Sequence, residues 1–276
     1  MVSPAELFGL DGRTVVLTGA GGVLGRAMAT AVLDAGARLV AVGRAGRVSA
    51  AAREWAAGYG ADRVALVEVD LADPAALDAA LDRIAATERV DVLVNNAHQL
   101  DHASGFGVPA GGFDGLDFAQ WQAHLDGGLW WAARCAQRLK APLHDARGAI
   151  VNVASMYGVV APSPRLYEGT DKTNPTPYSV SKAGLLALTR YIAAQWGPAG
   201  VRANALAPGA FSDVGGAGEN SVASDDPFLA RLHERTLLGR TGRPDELAGP
   251  LLFLCSDASS YLTGHALVVD GGWTVT

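Results

Sequence analysis

Charge, cysteine and long apolar runs are all in short supply in this chain. Charged residues make up 18% of its 276 positions and leave a net charge of −6. Without a basic excess there is little to grip a phosphate backbone, so no nucleic-acid partner is expected. No apolar run approaches the ~20 residues that a membrane span requires, so no membrane partner is expected either. The first ten residues hold neither the basic stretch nor the apolar core of a secretory signal. Cys135 and Cys255 stand far apart in apolar, helix-like runs and read as reduced core thiols, which suits a cytoplasmic protein. Repeats, low-complexity tracts and blocks of like charge are absent. His98 and His102 lie in a glycine-rich loop, residues 98–117, but no cysteine or carboxylate cluster accompanies them, so no metal is expected.

Apolar residues, at 49%, and 34 glycines make up for these absences, and the length allows one large α/β unit with a substantial core. Residues 14–18 form a β-rich run that leads into Gly19-Ala-Gly-Gly22-Val23-Leu24-Gly25 and then a helix-rich stretch, 26–33. Strand, glycine loop and helix bring backbone N–H groups and a helix N-terminus up to a pyrophosphate. Gly19 would allow the tight turn, Gly22 the approach of phosphate, and Gly25 the packing of helix on strand.

Further strands are expected at 38–42, 64–69, 91–95, 149–154, 201–207 and 266–270, with helices between them. One of these reads as a long helix over 118–139 that contains Trp121, Trp130 and Trp131 and is interrupted by Gly127-Gly128, each glycine costing ~1 kcal/mol relative to alanine. Such alternation means a mostly parallel sheet covered on both faces, with ligands beyond the strand C-termini. The glycine loop, Asn96-Ala97, Ser155 and Pro208-Gly209 each follow a strand and would gather on one edge. The second strand ends in Gly43-Arg44, with no carboxylate to bind ribose hydroxyls. Arg44, with Arg47 nearby, favours NADP(H) over NAD(H), unless it only stacks on adenine or is solvated. Asp70 either meets the adenine edge or caps the next helix at Asp73-Pro74. Residues 211–236 read as a substrate-loop region.

The centre of the chain is Tyr178-x-x-x-Lys182. On a helix, a phenol and an ammonium four residues apart share one face. Pro177 suits the start of that helix and Gly197-Pro198 its end. A nearby positive charge lowers a tyrosine's pKa, which would let Tyr178 exchange a proton with an alcohol or ketone oxygen. Ser155, at the end of the fifth strand, could hydrogen-bond the same oxygen.

Together these residues resemble the short-chain dehydrogenase/reductase family. The likeness spans residues 14–273. It rests on Thr18-Gly-x-x-x-x-x-Gly25, Asn95-Asn-Ala97, Ser155, Tyr178-x-x-x-Lys182, Asn204…Pro208-Gly209 and Val269-Asp-Gly-Gly272, in family order. The resemblance implies a single Rossmann-type domain over residues 1–276, a doubly wound parallel sheet of about seven strands with helices on both faces. It implies a nicotinamide cofactor, hydride transfer between a secondary alcohol and a ketone, and a homo-oligomer, tetramer or dimer. It makes Tyr178 the acid/base, Lys182 the group that lowers its pKa and holds the nicotinamide ribose, and Ser155 the orienter of the substrate oxygen. The cofactor would be lined by Gly19, Gly22, Val23, Leu24, Gly25, Arg44, Asp70, Leu71, Asn95, Asn96, Ala97, Pro208, Gly209 and Phe211.

Four departures stand out. Val23 replaces the middle glycine of the phosphate loop, and His98 rather than glycine follows Asn-Asn-Ala. Gly128 falls where the family carries a catalytic asparagine that holds a proton-relay water, and no asparagine occurs between Asn96 and Asn152. Ser155 and Tyr178 are 23 residues apart (178 − 155), more than is usual. Similar insertions are familiar from a subgroup near sugar and nonulosonate biosynthesis enzymes. His98, Tyr157, Arg165, Tyr167 and Glu168 would then touch a small polar, sugar-like substrate, or else pack the loop. Two other readings stay open: a ketoreductase or dehydrogenase tailoring a hydrophobic natural product, suggested by the tryptophans and Phe106, and a non-catalytic cofactor-binding relative, suggested by Gly128 and Val23.

Overall fold

The computed structural model describes residues 3–100, 104, 112–170, 172–214, 221–222 and 225–276. Five strands, β1 (Thr14–Thr18), β2 (Arg38–Gly43), β4 (Val92–Asn95), β5 (Ala149–Val153) and β6 (Arg202–Pro208), are buried on both faces, as their unbroken apolar runs require. β3 (Val64–Glu68) and β9 (Ala266–Val269) are the half-covered edges. The order β3-β2-β1-β4-β5-β6-β9 is parallel throughout, with the reversal between β1 and β4. A separate two-residue ladder pairs β7 (Asp213–Val214) with β8 (Ser221–Val222).

Alternation along each strand sends side chains to opposite layers. Val15 and Leu17 of β1 pack with Met28, Val32, Trp55 and Leu254, so α2 (Val23–Asp34), α3 (Arg47–Tyr59) and α11 (Ala248–Cys255) cover one face. Val16 packs with Leu81, Ile84, Cys135 and Ile192, so α4 (Pro74–Thr87), α6 (Trp131–Arg138) and α9 (Thr176–Trp196) cover the other. Each such side chain contributes about 1.5–3 kcal/mol when fully buried. Short helices α1 (Pro4–Phe8), α7 (Lys140–Asp145), α8 (Pro164–Tyr167) and α10 (Pro227–Arg235) complete the fold.

The long helix expected over 118–139 has three parts. α5 (Phe118–Leu125) runs into a π-helical turn, Asp126–Trp130, and then into α6. The glycine pair lies inside that wider turn, buried. Both cysteines are free and buried.

Candidate active site

The glycine loop lies at the sheet reversal. Gly19 takes φ +67°, and a Cβ there would stand 2.9 Å from Ala97 Cα. Gly25 sits in the first turn of α2, where a Cβ would fall 2.1 Å from the Gly19 carbonyl oxygen. Gly22 precedes α2 and provides no side-chain cap, so the first N–H groups of this 12-residue helix, those of Val23 and Leu24, remain for an anion. The departure at Val23 has a physical reason. Val23 is already helical, while the close approach is made by Gly21, whose Cβ would meet Val48 N at 2.7 Å.

Asn96 braces this loop. Its side-chain amide donates to the carbonyls of Thr18 and Gly19, both at 3.1 Å, while Asn96 N and Ala97 N donate to Thr18 Oγ1, each at 3.1 Å. Asn95 faces inward instead, donating to Asn152 Oδ1 at 2.8 Å. Arg44 is exposed just past β2, and Arg47 opens α3. The carboxylate of this corner is Glu68, the register partner of Gly43, and it accepts the Ser49 hydroxyl. Asp70 does not cap α4. Its Oδ1 accepts Ala72 N at 3.1 Å, and Asp73 provides the cap, accepting from Ala75 N and Ala76 N at 3.0 Å. Leu71 is buried beside it. Pro208 ends β6. A Cβ on Gly209 would be 2.6 Å from Asp270 Cα, and Phe211 bridges to Gly242 with its ring on that glycine's Cα. Glycine turns, an open helix N-terminus and the exposed Arg44 just past β2 together fit a dinucleotide.

Ser155, Tyr178 and Lys182 converge at the same sheet edge. Lys182 is 4% exposed, and its Nζ donates to the Val153 carbonyl at 2.7 Å, which ties α9 to the end of β5. That Nζ lies 5.8 Å from the centre of the Tyr178 ring. Ser155 Oγ accepts Tyr157 N at 3.1 Å and hydrogen-bonds Tyr178. Gly158 makes this convergence possible, since a Cβ there would collide with Lys182 C at 2.8 Å; its role could have been suspected only from its place three residues after Ser155. The expectation that Lys182 lowers the Tyr178 pKa needs correction. Burial is the larger effect on both groups: it raises the phenol, with Ser155 opposing, and it drops the lysine to about 7.

The expected substrate residues divide. Tyr157 and Tyr167 hydroxyls meet at 3.1 Å inside a cluster with Tyr178, Phe228 and Trp273. Arg165 and Glu168 are exposed, and it is the carbonyls of Leu166 and Glu168 that accept from Arg231, at 3.0 and 2.6 Å. The inserted segment is held by α10: Lys172 Nζ pairs with Asp226 at 2.7 Å and sits over Phe228. His98 stands edge-on to Tyr178, ring centres 5.1 Å apart, with His124 behind it. Phe228, Trp273 and His124 carried no motif that would have marked them in advance. His102 and Phe106 lie outside the described residues. Trp131 belongs to the core, and Trp130 faces outward from it. Among the described residues no helix is long and apolar enough to cross a membrane.

The fold and its edge define a nicotinamide-dependent oxidoreductase. A family model described as enoyl-(acyl carrier protein) reductase matches residues 19–274. Galactitol 2-dehydrogenase (L-tagatose-forming) of Cereibacter sphaeroides is 36% identical over 98% of both chains. L-rhamnose 1-dehydrogenase (NAD(P)(+)) of Azotobacter vinelandii is also 36% identical, over 94% of this chain and 96% of its own. The crystal structure of a gluconate 5-dehydrogenase from Burkholderia cenocepacia in complex with NADP and tartrate matches with a TM-score of 0.83 at 29% identity, covering 99% of this chain and 100% of that one. The chain belongs to the short-chain dehydrogenase/reductase family. It is an NAD(P)-dependent oxidoreductase acting on alcohol groups.

Proposed function

We propose that the enzyme interconverts a secondary alcohol of a polyol, sugar or sugar acid with the corresponding ketone, using NADP(H) in preference to NAD(H). The observation that carries this reading is the meeting of Ser155, Tyr178 and Lys182 beside the phosphate loop. The bound nicotinamide supplies the acceptor for the hydride that leaves the carbinol carbon. Tyr178 takes the hydroxyl proton, Ser155 holds the reacting oxygen and hydrogen-bonds the phenol, and Lys182, fixed by the Val153 carbonyl, holds the ribose. In ketone reduction the same groups run in reverse. Gly19, Gly22, Val23, Leu24, Gly25, Ala97 and the turn from Pro208 to Phe211 line the cofactor, and Asn96 shapes that lining from behind.

The Tyr157 and Tyr167 hydroxyls give an otherwise aromatic wall two groups that can bond substrate hydroxyls. Of the region 211–236, α10 borders that wall through Phe228 and Leu232 and is read as its substrate-contacting part, while residues 215–220 and 223–224 lie outside the described residues. The relatives named for galactitol and rhamnose support a polyhydroxylated substrate. Arg44 supports a 2′-phosphate, and the NADP in the gluconate 5-dehydrogenase complex agrees with that choice. Exposed Phe118, Trp130, Val180 and Tyr191 on α5, the π turn and α9 suit a homo-oligomer, and two free cysteines suit the cytoplasm.

A panel of hexitols, aldoses and sugar acids, set against aromatic and long-chain ketones and read by nicotinamide absorbance, tests the substrate class. Turnover concentrated among the polyhydroxylated compounds supports the reading. Turnover confined to the apolar ketones overturns it. Arg44→Ala is expected to weaken NADP+ about tenfold while leaving NAD+ nearly unchanged, by loss of one charge-assisted phosphate contact. Equal losses for both cofactors would remove Arg44 from cofactor choice.

A further inference from the structure

One basic side chain beside the aromatic wall lacks a counter-charge. Arg235 closes α10, and its guanidinium lies over the Trp273 ring, Cζ 5.5 Å from the ring centre. Trp273 is 1% exposed and meets Tyr157 edge-on, ring centres 6.2 Å apart, in the cluster that Tyr178 also borders. The Arg235 Nε is sealed from solvent and finds no acceptor among the described residues. Neighbouring cations differ in this. Lys172 pairs with Asp226 at 2.7 Å, Arg231 donates to the carbonyls of Leu166 and Glu168, and Arg240 pairs with Glu246 at 2.7 Å. Arg235 makes no such bond among the described residues.

Folding alone does not account for this arrangement. An arginine at a helix C-terminus ordinarily turns to the last carbonyls, whereas this one lies across an indole. The ring face answers the charge but offers nothing to the N–H. A leucine or methionine would cover Trp273 without burying part of an ion. What the guanidinium lacks is a planar anion, since Nε and a terminal nitrogen form a fork that matches the two oxygens of a carboxylate.

Tyr157 stands between this fork and the catalytic phenol. Burial holds its hydroxyl above the ordinary range, the Tyr167 hydrogen bond opposes that, and the charges of Tyr178 and Arg235 both reach it. Burial raises Tyr167 as well, so both phenols keep their protons at neutral pH. One of those protons lies between the two oxygens, 3.1 Å apart, and the other can be donated to a substrate hydroxyl.

We propose that Arg235 is the carboxylate anchor of the substrate site, and that the substrate is a sugar acid whose carboxylate lies on Arg235 while a carbinol further along its chain reaches Tyr178. The inference rests on the reading of Tyr178 as acid/base toward a polyhydroxylated substrate, and it selects the acids within that class. Hydroxyls between the two ends face Tyr157 and Tyr167. The carbinol that is oxidised is therefore not the one next to the carboxyl.

The test sets pentonates and hexonates against their aldonamides, which keep every hydroxyl and lose the charge, in full-length enzyme with its preferred cofactor. In the wild type, kcat/KM for the best aldonate is expected to exceed that for its amide at least about tenfold. In Arg235→Gln, KM for the aldonate should rise about ten- to hundredfold with kcat changed far less, because a contact remote from the reacting carbon holds ground and transition states alike. The loss on the amide should be at least about tenfold smaller. Arg235→Lys, which keeps the charge without the fork, should fall between wild type and Arg235→Gln. A wild-type preference for hexitols over aldonates, equal kcat/KM for acid and amide, or equal losses on both in Arg235→Gln overturns the anchor and leaves the polyhydroxylated reading intact. Turnover confined to apolar ketones overturns that reading itself. The acid-to-amide ratio is read in the wild type and decides the matter even if Arg235→Gln fails to fold.

Discussion

Lys182 and Tyr178 share one poorly hydrated corner, and its dryness works against both of their charged forms. The lysine keeps its proton to about pH 10.5 in the unfolded chain but only to about 7 in the folded one. Below 7 both states hold the proton, and the folded enzyme carries the full cost of a buried ammonium. Between the two values only the unfolded chain holds it, so this group's contribution makes stability rise with pH. Lys182→Met is therefore expected to raise the Tm of the cofactor-free enzyme at pH 6, with the gain shrinking toward pH 10. A Tm difference that stays constant across this range would show that the ammonium is hydrated. Gly128 is the second residue whose neighbours decide an outcome. With Ser181 Oγ and the His98 ring within 2.5 Å of the missing Cβ, Gly128→Asn should lower activity despite restoring the family's residue, and a rise in kcat would contradict the geometry.

At the scale of elements, three joints make the site: the glycine loop on α2, the β5 end on α9, and the π turn on the β4 loop. The first two were legible. Gly19 and Gly25 stand at fixed offsets after an apolar strand, and Tyr178 and Lys182 stand one helical turn apart, so local spacing carries the information. Gly25→Ala should abolish measurable cofactor binding or prevent folding, since the added methyl meets backbone at 2.1 Å; ordinary cofactor affinity, read by fluorescence quenching, would be incompatible with that contact. The third joint was not legible. The glycine pair announced a defect in a helix, but that His98 fills it and His124 supports it is set by contacts between β4 and α5, which no periodicity records. For the same reason α8 and α10 were not legible: they are short helices, of 4 and 9 residues, that only tertiary contact stabilises.

Across the whole molecule, seven parallel strands bring residues 19, 97, 155 and 209 to one edge, and that convergence was already implied by strands alternating with helices. The aromatic wall was not, because Trp273 comes from the chain's last turn and Phe228 from α10, each placed only once the sheet has closed. Hydride and proton leave one carbinol together in the proposed reaction, the proton by way of Tyr178. The most direct measurement is a single turnover with a polyol deuterated at the reacting carbon, in wild-type enzyme and in Tyr178→Phe. Deuterium is expected in the nicotinamide ring from the wild type, and no transfer from the variant although it still binds cofactor. Transfer at the wild-type rate in Tyr178→Phe would contradict it.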